Sequence, residues 1–342
     1  MKKIFTKKIN VALAAMLCCA LWGSAFPVIK IGYNFLNIAG SDTSLQILFA
    51  GIRFFLAGFF TILLGSIFAD KFIVIKKKEN WKNVAVLAVF QTVMQYVFFY
   101  IGLAHTTGSK SSILDSTSVF FAVLISCLIF KQEKLTINKI IGCIIGFVGV
   151  VLINITSGSQ VGSFAFNGEG FIILSALSYA FSSVLVSRYS KSESPVALSG
   201  YQFMLGGAVM ILAGLIFGGR FKVTSLPAFG VVIYLALLSA CAYTIWGILL
   251  KYNDVSSVSV FGFMTPVFGF ALSSIILKEH LSQQLWLTII ALVLVCFGIL
   301  CVNLNIDKLK KHKNIEKEIQ GKWELLKRRK IDEGENYSCK GI

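Results

Sequence analysis

Ten apolar runs, each about twenty residues long and separated by short charged or turn-rich gaps, dominate the 342-residue sequence. They fall at 11–32, 45–68, 81–104, 109–130, 137–155, 169–187, 196–218, 227–250, 257–277 and 284–304. At about 1.5 Å per residue such a run covers the ~30 Å hydrocarbon core of a bilayer. The runs are continuous, so they read as helices and not as the short alternating strands of an outer-membrane barrel. With 56% hydrophobic residues and a mean hydropathy of +0.79, the chain carries more apolar surface than one soluble core hides. The sequence predicts an all-α integral membrane protein with ten transmembrane helices.

The first run follows the basic segment "MKKIFTKKIN". It continues past Ala20 to Leu36 without a small-x-small cleavage site, which argues for a retained span over a signal peptide. Basic residues then set the orientation. With the N-terminus inside, 26 Lys and Arg fall in inner segments and only 4 (Lys110, Arg220, Lys222 and Lys278) in outer ones. Both termini are therefore expected in the cytoplasm, with the chain multi-pass in the cell membrane. The same bias absorbs the net charge of +16 against an anionic leaflet, without a nucleic-acid partner.

The chain also echoes itself. "LIFKQEKLT" (128–136) resembles "IILKEHLS" (275–282), and "ALWGSAF" (20–26) is weakly repeated by "LSYAFSS" (177–183). Spans one to five thus look like spans six to ten. An odd number of spans per half forces the second half to enter the membrane from the opposite side. The outcome is two inverted five-helix repeats, 1–155 with its basic N-terminal tail and 156–306, followed by a basic cytoplasmic tail, 307–342. Such repeats rock around a site near the midplane in alternating-access transporters.

"ALWGSAFPVIKIG", "IRFFLAGFF" with Arg53, the Glu133 loop, "GCIIGFVGVVL" and "TPVFGFALSSIILKEHLS" occur in an order and spacing that resemble the EamA family of the drug/metabolite transporter superfamily, over roughly 11–304. The resemblance implies two inverted repeats and transport, often export, of small metabolites such as amino acids, or of drugs. It does not name a substrate. One departure stands out: Pro266 lies thirteen residues before Glu279, whereas Phe120 holds that place before Glu133.

Polar groups within the spans are the candidates for chemistry, because a charge in hydrocarbon is costly and faces the bundle interior. Arg53 and Asp115 come out at similar depths, ~12 Å and ~9 Å from the outer ends of their helices. They are candidates to hold a zwitterionic or carboxylate-bearing substrate, with Asp115 also a proton-coupling candidate; the alternative is a structural ion pair locking helices two and four. Gln91 and Gln95 share a helix face, and Trp22, Tyr243 and Trp246 supply aromatic walls; helix packing is the alternative for all five. Lys30, His105 and Lys110 would ring the outer mouth, with snorkelling to headgroups as the alternative for the lysines. Pro27 and Pro266 are candidate bends in gating helices.

The stripe Gly142, Gly146 and Gly149 reads as close helix packing, within the repeat or in a homodimer. Glu133 and Glu279 read as helix-boundary residues at opposite surfaces. The eight cysteines are scattered, and the three histidines lack metal spacing, so the sequence points to no cofactor, metal or catalytic residue. Ile315, Ile319, Trp323 and Leu326 give the tail helical spacing, which suits either an amphipathic surface helix or a solvated tail. The leading expectation is a secondary transporter, and the alternative is a membrane-embedded enzyme or a non-transporting subunit.

Overall fold

Apolar, helix-period sequence becomes helix here: among the described residues of the computed structural model all regular structure is helical. The described residues are 4–39, 41–105, 108–156, 165–220, 225–276 and 285–303. Glu279, His280 and the basic tail 307–342 lie outside them, as does the Lys110 side chain. The elements are α1 (Lys8–Leu36), α2 (Thr43–Phe68), α3 (Asn80–Leu87), a π segment (Ala88–Met94) leading into α4 (Gln95–His105), α5 (Gly108–Asp115), α6 (Ser118–Leu124) with a π turn (Ile125–Ile129), and α7 (Ile137–Thr156). A π turn (Phe166–Gly170) opens α8 (Phe171–Tyr189), followed by α9 (Pro195–Ile216), α10 (Leu226–Tyr252), α11 (Val255–Ser259), a 3-10 turn (Val260–Phe263), α12 (Met264–Ile276) and α13 (Leu285–Asn303).

Six helical stretches are long and apolar enough to cross a membrane: Lys8–Leu36, Thr43–Phe68, Asn80–Leu103, Phe166–Tyr189, Pro195–Ile216 and Leu226–Tyr252. Shorter apolar stretches, Ile113–Ile129, Ile137–Leu152, Val255–Gly269 and Ile289–Asn303, fall where the remaining expected spans lie. The fourth run is not one helix. At its break both the backbone N–H and the hydroxyl of Thr117 donate to the Leu114 carbonyl, so a side chain competes with the helical ladder. Ends are set by local chemistry. The Asp42 carboxylate accepts the Leu45 N–H at the start of α2, and Ser225 accepts the Ala228 N–H at the start of α10. Gly218 turns the chain out of α9 at φ +87°.

Helices pack mainly across the two halves. α2 lies along α9, α1 along α10 and α12, and α8 along both the α3–α4 helix and α6. This pattern maps onto itself when the halves are exchanged. Glycine makes the closest crossings. A Cβ on Gly58 would sit 2.4 Å from the Gly200 carbonyl oxygen and 2.6 Å from the Met204 nitrogen, and one on Gly51 would sit 2.6 Å from the Ile211 nitrogen. Rising numbers in α2 therefore meet falling numbers in α9, and the pair is antiparallel.

The Gly142–Gly149 stripe is taken up inside the chain. Gly142 meets Gly298 and Val302, Gly149 meets Ala291 and Val295, and Gly146 meets the Phe263 ring. The stripe thus joins α7 to α13 and the 3-10 turn of the other half, neither packing within its own half nor lying open to a second copy. In α1, a Cβ on Gly23 would fall 2.6 Å from Phe268 Cβ and 2.8 Å from the Gly269 nitrogen. Pro27, four residues on, has no N–H to give the Gly23 carbonyl, so the ladder opens at this crossing with α12. Helix α1 nonetheless runs unbroken through Pro27. Pro266 lies in the first turn of α12, just after the 3-10 turn.

Candidate functional site

The crossing of α1, α2, α8, α9 and α10 with the α3–α4 helix gathers aromatic rings around one centre. Trp22 of α1 meets Tyr243 (5.1 Å), Trp246 (5.0 Å) and Tyr179 (6.3 Å), all edge-on. Tyr96 and Tyr243 share a hydrogen bond between their hydroxyls at 2.7 Å. Phe54 stacks on Phe203 at 5.2 Å, and Phe203 meets Tyr243 at 4.9 Å. The three aromatics expected from the sequence do converge. Sequence alone does not single out Tyr179, Tyr96 and Phe203, although Tyr179 is the third letter of the echo "LSYAFSS", as Trp22 is of "ALWGSAF".

Arg53 borders this cluster. Its residue is only 4% exposed, and its guanidinium lies 4.4 Å from the Phe54 ring centroid and 5.8 Å from that of Tyr96. Its Nε and Nη1 have no hydrogen-bond partner among the described residues. The hydroxyls of Tyr33, Tyr96, Tyr100 and Tyr243 all lie within its electrostatic reach. Cation–π contact offsets only part of the cost of a buried charge, about 0.5–2 kcal/mol against several for desolvation. Such a site has the chemistry to accept an anion.

Arg53 and Asp115 do not form the expected ion pair; among the described residues the salt bridge is Lys139–Glu133. Asp115 ends α5 just before the break, within electrostatic reach of Tyr179 of α8. The contacts Arg53–Tyr96–Tyr243–Trp22–Tyr179 thus run from one side of the aromatic cluster to the other.

The two glutamines part company. Gln91 accepts a hydrogen bond from Gln202 Nε2 at 3.2 Å, and Gln202 Oε1 accepts the Thr92 hydroxyl at 2.7 Å. This buried triad ties the α3–α4 helix to α9. Gln95 faces the Tyr243 hydroxyl, and its Oε1 has no partner among the described residues. The π segment between α3 and α4 widens the turn that separates the two. Arg53 and Gln202 each precede a phenylalanine of the Phe54–Phe203 stack, so Gln202 holds in the second half the place of Arg53 in the first. One is fully tied and the other is not.

On the same helices the indole nitrogens of Trp22 and Trp246 and the Ser239 hydroxyl have no partner among the described residues, while the hydroxyls of Tyr33 and Ser183 face Tyr100 and Tyr179. Buried polar groups are normally paired, so this concentration makes the region the candidate site. Lys30 and His105 are exposed, and His105 Nδ1 donates to the Ile101 carbonyl at 2.8 Å.

On the opposite face two carboxylates tie loops of the two halves together. Glu133, between α6 and α7, accepts from Ser126 Oγ (2.8 Å), Lys139 Nζ (2.7 Å), the Ser256 backbone N–H (3.0 Å) and the Ser256 hydroxyl. Glu193, between α8 and α9, accepts from the Lys76 backbone N–H (3.0 Å) and Asn80 Nδ2 (2.9 Å).

The sequence falls into known company. The model of the EamA-like transporter family matches residues 9–155 and again 166–304. An uncharacterized transporter of Archaeoglobus fulgidus is 27% identical over 294 residues, covering 84% of this chain and 96% of that protein. One of Bacillus subtilis is 23% identical over 301 residues, covering 86% and 92%. A solved crystal structure shares the fold with a TM-score of 0.69 at 16% identity, over 86% of this chain and 96% of its own. Matched across both halves, this multi-pass membrane protein belongs to the EamA-like transporter family.

Proposed function

We propose that the chain is a secondary active transporter of small organic metabolites, amino acids or related compounds or drugs, that works by alternating access and exports its cargo. Ten helices would form two inverted five-helix repeats, 1–155 and 156–306. The antiparallel pairing of α2 with α9 and the self-mapping contact pattern support that reading. The basic loops and both termini would face the cytoplasm.

The observation that carries the proposal is Arg53, a buried guanidinium with two unpartnered N–H groups beside an aromatic cluster. The cargo's carboxylate would pair with Arg53, its body would pack on Trp22, Tyr243 and Trp246, and Gln95 would take a donor. Gln91, tied to Gln202, would hold helices together. Asp115, across the cluster, would receive an amine or a proton.

Reconstituted vesicles test this directly. Carboxylate-bearing cargo from a panel of amino acids, amines and drugs should show saturable flux that Arg53→Ala abolishes. Absence of flux for every member of the panel would leave a non-transporting subunit or a membrane enzyme as the better reading.

A further inference from the structure

The contacts of Glu133 exceed what a helix boundary needs. Its loop belongs to the first half, whereas Ser256 opens the α11–3-10–α12 segment of the second. Both donors of Ser256, backbone and hydroxyl, end on the one carboxylate. Lys139 braces that carboxylate at 2.7 Å while also donating to the Lys134 carbonyl at 2.9 Å, which fixes the loop itself.

The segment held by Glu133 closes on α1. The carbonyl of Phe261, in the 3-10 turn, accepts the Cys19 thiol at 3.1 Å, and Cys19 is fully buried. On the same face the reciprocal tie exists: Glu193 of the second half holds Lys76 and Asn80 of the first, and Asn253 Nδ2 donates to the Phe5 carbonyl at 2.8 Å. The Glu133, Glu193 and Asn253 contacts lie at the end of the bundle that carries the basic loops, and Cys19 lies deeper, three residues before Trp22. Burial pushes the Glu133 carboxyl up, but the hydrogen bonds from Lys139 and Ser256 and the lysine charge outweigh it, so its pKa is held below the ordinary value. The group stays ionised as a charge-assisted acceptor.

We infer that Glu133 is the latch of the gate on the basic-loop face: its bonds to Ser256 hold the 255–263 segment against α1, and the face opens when they break. The inference rests on the alternating-access reading. Glu133 is a positioning residue that touches no cargo.

The test uses the full chain in membrane vesicles of both orientations, with Cys19 as its sole cysteine and a membrane-impermeant maleimide as probe. Glu133→Gln should speed labelling from the basic-loop face on the order of tenfold, equivalent to about 1.4 kcal/mol, because one charge-assisted tie is lost. Labelling from the other face should not rise. Ser256→Ala should give a smaller increase, the double variant should add little to Glu133→Gln, and Glu133→Asp should fall between wild type and Gln. If Glu133→Gln does not fold, the side-specific increase in Ser256→Ala carries the test.

Unchanged labelling in a folded Glu133→Gln or, failing that, Ser256→Ala protein would overturn the latch. Equal increases from both faces would overturn it too, since they would report general loosening. A wild type whose Cys19 labelling never differs between faces, under any cargo gradient, would instead remove alternating access itself.

Discussion

A buried arginine with no counter-ion among the described residues predicts its own mutational signature. If Arg53 served stability, truncating it would destabilise the protein. If it awaits a carboxylate, replacing it by an apolar side chain of similar length removes an uncompensated charge. Arg53→Met should therefore leave thermal stability in detergent unchanged or raise it, by up to about 1–4 kcal/mol, while flux of carboxylate cargo falls at least ~10-fold. Arg53→Lys keeps the charge but loses the planar stacking on Phe54, so partial flux is expected. The two glutamines should split the other way. Gln91→Leu strands the amide of Gln202 and should cost about 1–3 kcal/mol, whereas Gln95→Leu, whose Oε1 has no partner, should spare stability and weaken cargo binding. Thermal melting beside flux for each variant separates these outcomes. Arg53, Trp22, Tyr243 and Trp246 were legible in the sequence because charges and indoles are conspicuous in apolar runs. Tyr33 and Tyr96 were not, since a tyrosine among so many phenylalanines looks like packing until its hydroxyl is placed.

Between elements, the two halves adhere through backbone as much as through side chains. At the α2–α9 crossing the atoms facing a new Cβ on Gly58 are the Gly200 carbonyl oxygen and the Met204 nitrogen. Neither can swing aside as a rotamer would, so the helices must separate. Gly58→Leu should cost more than about 2 kcal/mol and lower the yield of folded protein. Gly230 of α10 is the internal control, because a Cβ added there would meet no atom within 4 Å. Gly230→Ala should be neutral or stabilising by up to ~1 kcal/mol through helix propensity. Equal losses in the two variants, read as melting temperature in one detergent, would contradict backbone-limited packing. Helix positions were legible from apolar period and turn residues. The π segment at Ala88–Met94 and the break after Asp115 were not, because they depend on hydroxyl and backbone competition that hydropathy does not register. The glycine stripe was visible too, but its partner was not, since α13 follows it by well over a hundred residues.

At the scale of the whole molecule, the question is which carboxylate links transport to a proton gradient. Glu133 is a poor candidate. Its pKa is held below the ordinary carboxylate value, so its ties are fully present above that value and are lost only as pH falls through the lower, folded one. Across the neutral and mildly acidic range it stays charged, and its latch does not respond. Glu193 follows the same rule, since the bonds from Asn80, Ser194 and Lys76 outweigh the effect of burial. Asp115 differs in kind: no salt bridge among the described residues holds it, and it lies within electrostatic reach of Tyr179 in the aromatic cluster. If Asp115 exchanges a proton during the cycle, an imposed pH gradient should drive cargo flux in wild-type vesicles. Asp115→Asn, which cannot ionise, should lose that response while still exchanging labelled for unlabelled cargo at zero gradient. Glu133→Gln should keep the response even where its gate is loosened. A wild type whose flux is indifferent to the gradient would leave Asp115 a cargo or packing residue. A response that survives Asp115→Asn would move the proton to another group.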